Sequence, residues 1–235
     1  MPGCAGVLLG VLGLTSGCAH LPGFGRESSL EAYQQKMLEQ RAAMSQVAQE
    51  SEEGATLESR VESGDALAEK GQPDRAMLKY LEAVRLDPDA TLPRERIAYL
   101  QLTRDLERAE AIFGQLLLKD PTNASALRGV GLARLGQGDL AGAQAALERA
   151  LDLEPESVSA HYALGAVLDL EGDHARALVH NQRARALRPE DAALANGVGV
   201  SWLMLGRLPQ AETAFRDAIR LDPDVPTYRN NLGLA

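Results

Sequence analysis

Four prolines constrain this chain more than any other feature. Pro121, Pro155, Pro189 and Pro223 follow one another at a constant spacing of 34 residues. Other residues keep the same step. Gly131, Gly165 and Gly199 share it, as do Gly138, Gly172 and Gly206. So do Ala143, Ala177 and Ala211, and then Ala150, Ala184 and Ala218. A fixed period of this length, punctuated by glycine and proline, specifies a stack of helix–turn–helix units. No single unit can bury its apolar face alone, so each must pack on its neighbours.

The pattern resembles the tetratricopeptide repeat (TPR) family, which has small residues at repeat positions 8, 20 and 27 and proline at 32. The physical reading of the residues agrees. A glycine inside a helix costs about 0.8–1 kcal/mol relative to alanine, so one that recurs needs a packing reason. At position 8 it lets the first helix of a repeat (helix A) approach its partner closely, and the alanines do the same from the second (helix B). The second glycine of each unit, as in Gly138-Asp139 and Gly172-Asp173, ends helix A in a left-handed residue. Proline then stops helix B and fixes the turn into the next unit. The expected fold class is all-α: a TPR superhelix of five repeats with a terminal helix.

The repeats are placed at 57–90, 91–123, 124–157, 158–191 and 192–225, with a partial sixth at 226–235 that begins another helix A. The first keeps Gly64, Gly71, Ala76, Tyr80 and Ala83 in register. The second is one residue short, has Leu116 in place of an alanine, and lacks glycine between its helices. An irregular or tightened turn is predicted near Leu102–Asp105. Tyr80, Phe113 and Trp202 occupy positions at which bulky residues pack into a core.

Residues 1–17 carry no charge and include an apolar run, Val7 to Leu14, too short to span a bilayer as a helix. The run ends in small residues ahead of Cys18, as in a secretory signal. Leu14-Thr15-Ser16-Gly17-Cys18 resembles a bacterial lipobox, although the leucine stands one step further out than in that family and a basic n-region is missing. The resemblance implies a signal peptide over 1–17, lipidation at Cys18 and a tether over 18–27. Ala19 in place of aspartate implies the outer membrane, with the chain facing the periplasm. The other reading of Cys18 is an ordinary buried thiol. Cys4 and Cys18 are the only cysteines, so the processed chain would form no internal disulfide. Ser28 and Glu31 match a capping box. Leu30, Tyr33, Met37, Met44 and Val47 follow at helical spacings, predicting an amphipathic helix within 28–56 that covers one end of the array or pairs in a short coiled coil.

No catalytic, cofactor-binding or metal-binding set emerges. His20, His161, His174 and His180 are the only histidines, with no i, i+4 metal pair, and they read as surface or groove residues. Gly129-Val130-Gly131 and Gly197-Val198-Gly199 begin like dinucleotide loops but follow no strand and read as helix-packing glycines. Acidic residues are scattered along the helices as solvated faces. The formal charge of −9 speaks against a nucleic-acid partner.

The TPR resemblance places helix A positions 2, 5, 9 and 12 on an inner groove. Arg128, Tyr162, Asn196 and Asn230 stand at position 5, and Tyr99 and Leu132 at position 9. These six are the expected protein-binding residues, with structural packing as the alternative role. The row lacks the lysine and asparagine set that clamps a C-terminal carboxylate in chaperone-binding TPR domains. Three further stretches, Asn196–Val200, Leu205–Glu212 and Tyr228–Ala235, resemble the tight-adherence (Flp) pilus assembly lipoproteins of the TadD family. That resemblance implies a non-enzymatic scaffold binding protein partners, such as a secretin or other pilus components. Two alternatives stand beside it: a type IV pilus pilotin, and an accessory subunit of a glycan-modifying enzyme.

Overall fold

The computed structural model describes residue 35 and residues 56–235. The expected signal peptide over 1–17, Cys18, the tether and the 28–56 segment lie outside the described residues, except Gln35, which is helical, and Thr56. Eleven helices follow from residue 57, with no strand among the described residues. They are α1 (Leu57–Glu69), α2 (Pro73–Leu86), α3 (Thr91–Gln101), α4 (Leu106–Lys119), α5 (Ala124–Gln137), α6 (Leu140–Leu153), α7 (Val158–Glu171), α8 (His174–Leu187), α9 (Ala192–Met204), α10 (Leu208–Leu221) and α11 (Pro226–Leu232). Odd numbers are the A helices of successive repeats and even numbers the B helices.

The ends of these helices follow from their sequences. Gly138 and Gly172 take φ values of 83° and 86°, which only glycine adopts cheaply. Around Gly138 the amide of Asp139 donates to the Arg134 carbonyl and that of Gly138 to Leu135, a Schellman closure. The aspartate after the glycine then starts the B helix, since Asp139 accepts from the Gly142 amide at 3.0 Å. Asp173 does the same for Arg176 at 3.1 Å. Each B helix ends just before a residue followed by proline, Asp87, Asp120, Glu154, Arg188 or Asp222, and none of these five is in α geometry, because proline disfavours it in the residue before. The turn at Leu102–Asp105 closes without a left-handed glycine. Leu102 stays right-handed and Asp105 caps α4 through the Arg108 amide at 2.9 Å.

Alanines at the helix crossings, including Ala76, Ala98, Ala109, Ala143, Ala177 and Ala211, have no solvent exposure. The core knobs come from position 24 of the B helices. Tyr80, Phe113, Leu147 and Phe215 are 2% exposed or less, and each apolar side chain of this size contributes about 1.5–3 kcal/mol on burial. Three of them meet the position-8 glycine of their own repeat. A methyl group added at Gly64, Gly131 or Gly199 would lie 2.3, 2.6 or 2.5 Å from Tyr80, Leu147 or Phe215. The repeated glycine is therefore a hole for a knob. Gly129 and Gly197 serve a different neighbour, receiving the rings of Phe113 and Tyr162 from the preceding repeat.

Two expectations need correction. Trp202 packs on Leu178, Val198 and Ala214 but is only half-buried, because its ring lines an open groove between α8 and α10 beside Pro189 and Pro209. Acidic residues are not all solvated: Glu95 is 8% exposed, and Asn123 donates to it at 2.7 Å.

Candidate functional site

Successive A helices of repeats 2 to 5 touch one another, whereas successive B helices stand further apart. The A helices therefore form the inner layer, and their position-5 and position-9 side chains face the concave side. At the first two repeats position 5 is closed, since Val61 and Glu95 are buried. From the third repeat onward it is partly open.

Two clusters occupy this surface. In the first, Arg128 donates from Nε to the Tyr99 hydroxyl at 3.1 Å and from Nη2 to the Ser125 hydroxyl at 3.3 Å. Its guanidinium carbon stands 5.6 Å from the centre of the Tyr99 ring, a cation–π distance. Tyr99 in turn donates to the Ser125 carbonyl at 2.8 Å and meets Phe113 edge-on at 5.0 Å. Arg128 is thus held by a network rather than left reaching into solvent. Leu132, one turn along, packs on the core of repeats 3 and 4. Beyond Tyr99, a cavity of 320 Å³ is bounded by Asp65, Tyr80 and Arg96. Asp65 accepts from the Tyr80 hydroxyl at 2.7 Å and from Arg96 Nε at 2.8 Å. Burial, with help from that hydrogen bond, pushes the Tyr80 hydroxyl well above the ordinary tyrosine range.

The second cluster lies between repeats 4 and 5. Tyr162 lies over Gly197, and burial raises its hydroxyl pKa, with the charges of Tyr228 and Asp191 adding to the effect. Tyr162, Asn196, Asp169 and Asn181 surround a cavity of 290 Å³. Asn196 accepts from Asn231 Nδ2 at 2.8 Å. Asn230 itself is exposed, and the terminal helix meets this row through its neighbour instead. The structure thus gathers Tyr99 with Arg128 and Tyr162 with Asn196, and leaves Asn230 apart.

The three described histidines, His161, His174 and His180, are all partly buried. His161 Nδ1 and His180 Nδ1 lie 3.0 Å apart. His161 Nε2 is 3.0 Å from the Pro155 carbonyl, which can only accept. Neutral His161 therefore carries its proton on Nε2 and takes one from His180 Nδ1. Burial first, and then the charges of His161 and Arg176, lower the His180 pKa from its ordinary value, with Glu148 opposing. His174 Nδ1 bonds Asp169 Oδ1 at 3.0 Å. No group of three metal-ligating side chains occurs among the described residues, and no described helix is long and apolar enough to cross a membrane.

Sequence reasoning missed Asn181 and Ser201. The signal for Asn181 was present in the position-24 series, Tyr80, Phe113, Leu147, Asn181 and Phe215, where one amide stands among aromatic and leucine side chains; Ser201 had no such signal.

Comparison with known proteins agrees with this architecture. No curated protein matches the chain. Among solved structures, a thermophilic TPR protein of Thermus thermophilus is 20% identical with a TM-score of 0.66, covering 76% of this chain and 97% of that one. A chain of the APC/C hetero-tetramer Cut9–Hcn1 is 16% identical with a TM-score of 0.71, over 74% of this chain and 35% of the other. YrrB, described as a TPR protein with an unusual peptide-binding site, is 20% identical with a TM-score of 0.53, over 73% of this chain and 89% of that one. At such identities the likeness is one of fold. The tetratricopeptide repeat model itself matches residues 98–143, 131–192 and 181–226. Those matches run from the second repeat to the terminal helix, over more than half of the chain, and the chain belongs to the tetratricopeptide repeat family.

Proposed function

We propose that this protein is a lipid-anchored adaptor of the outer membrane, facing the periplasm, that holds protein partners during assembly of a pilus or secretion machine. The observation that carries the adaptor reading is the inner surface. Tyr99 and Arg128 form one cluster pre-organised by hydrogen bonds, Tyr162 and Asn196 line a second site in which Asn196 is held by Asn231, and each site borders an open cavity. Side chains already fixed by hydrogen bonds lose little freedom when a partner docks, and TPR solenoids use such concave surfaces for binding. The peptide-binding site ascribed to YrrB supports the same use of the fold. Anchoring rests on the lipobox-like run ending at Cys18. The pilus assignment rests on the TadD-like stretches, and a secretin or another assembly component is the partner it suggests.

Two linked measurements test the proposal. Cys18→Ala should move the protein from the membrane to the soluble periplasmic fraction with its helical circular dichroism unchanged; retention in the membrane would remove the lipid anchor from the reading. A photo-crosslinking residue at Tyr162, activated in native envelopes and read by mass spectrometry, should trap a secretin or pilus component. A cell-wall synthase in its place would favour the accessory-subunit alternative.

A further inference from the structure

Position 24 is an aromatic or leucine knob in every repeat but the fourth, where it is Asn181. This side chain is 2% exposed, and its hydrogen bonding can be worked out atom by atom. The Asp169 carboxylate only accepts, so the Ser201 hydroxyl, 2.8 Å from Oδ2, donates to it. With its proton used there, Ser201 must accept from Asn181 Nδ2 at 2.9 Å. That fixes the amide orientation and leaves Asn181 Oδ1 without a partner. The oxygen lies where a methyl group on Gly165 would be, and near Gly197, which together with Asn181 lines the 290 Å³ cavity. Buried acceptors without partners are rare in native proteins, and each calls for an explanation.

The surroundings say what would satisfy it. Asp169 shares the cavity, its side chain only 13% exposed, and each of its oxygens holds one hydrogen bond and can take another. The walls are apolar at Ala166, Leu170 and Val200, with the Tyr162 ring on one side. The cavity is at the low end of the size range for small-ligand sites, about 300–1,000 Å³, and has room for one long side chain. An alkyl stem against apolar walls, ending in a group that only donates and carries positive charge, fits this arrangement. Lysine has that form: three donors, no acceptor and a four-carbon stem. The overall charge of −9 favours approach of a basic segment.

We propose that the cleft between α7, α8 and α9 is a lysine-binding subsite, in which Asn181 Oδ1 and the Asp169 carboxylate receive the ammonium group of a partner segment docked in the groove. The subsite rests on the adaptor reading for its biological use.

The test is a nuclear magnetic resonance titration of the purified full-length chain. The probes are three blocked alanine-based peptides that differ only in a central lysine, norleucine or glutamine. The lysine peptide should bind about tenfold more tightly than the norleucine peptide and shift the Gly165 and Gly197 amides. Asn181→Leu and Asp169→Asn should each abolish that preference. Asn181→Leu reproduces the Gly131–Leu147 pairing of the third repeat, so its fold is expected to persist. Equal binding of lysine and norleucine peptides would overturn the subsite. So would an unchanged preference in Asn181→Leu, which would show that Asn181 serves packing alone, or glutamine matching lysine, which would show that charge is not read. Should the preference be missing while the Tyr162 crosslink still forms, the subsite falls and the adaptor reading stands. A preserved preference without that crosslink would have the opposite meaning.

Discussion

His180 shows how one buried side chain ties stability to pH. Its folded pKa lies below the ordinary value of about 6.5, chiefly through burial, so on acidification the unfolded chain takes up its proton first. The stabilisation is therefore complete above about pH 6.5 and is lost as pH falls through the depressed folded value. His161 sharpens the effect, because protonating both rings would set two N–H groups against each other across 3.0 Å. The melting temperature should fall between about pH 7 and pH 5, and less steeply in His180→Gln. Equal slopes in the two proteins would place the acid sensitivity elsewhere. Neither the pair nor the Asn181–Ser201 bond was legible in the sequence. Each joins residues 19 or 20 apart on different helices, and only the crossing geometry of the helices brings such residues together. Tyr99 and Arg128 were assigned to the inner groove through the TPR resemblance, but their mutual hydrogen bond depends on how closely α3 and α5 approach.

Elements were the easiest part to read, since glycine and proline act locally. The left-handed glycines and the turn lacking one follow from backbone chemistry within a few residues. Which polar residues cap a helix is less evident. Asp139 starts α6 through the Gly142 amide, whereas Ser157, in the equivalent place before α7, makes no cap bond and lies 3.4 Å from Arg128 Nη1. Asp139→Ala should therefore cost about 1 kcal/mol. Ser157→Ala should stay within about 0.5 kcal/mol, both by urea denaturation. The reverse order would mean that Ser157 is the cap in solution. The exposure of Trp202 was misjudged for a related reason: position 11 is core only where the next B helix closes over it, and α10 leaves the ring facing a groove.

Across the whole array, stability is shared between neighbours. A methyl group at Gly165 would stand 2.4 Å from Asn181 Oδ1, so Gly165→Leu overpacks the fourth repeat and should cost about 1–3 kcal/mol. Hydrogen exchange should show protection falling first in repeats 3, 4 and 5, with repeat 1 affected least. Uniform loss would mean that the array unfolds as one cooperative block. Its order also has a consequence for assembly. A chain of near-identical modules is prone to slipping by one module or exchanging modules between molecules. Here Phe113 of the second repeat needs the bare backbone of Gly129 in the third, and Tyr162 of the fourth needs that of Gly197 in the fifth. The equivalent place in the fourth repeat is Ala163, and in the second Arg96. A slip by a single module would drive an aromatic ring into a side chain, while a slip by two would not. The two glycines thus act as keyed joints that give the modules a sequence-encoded address, and errors in stacking should favour even numbers of repeats.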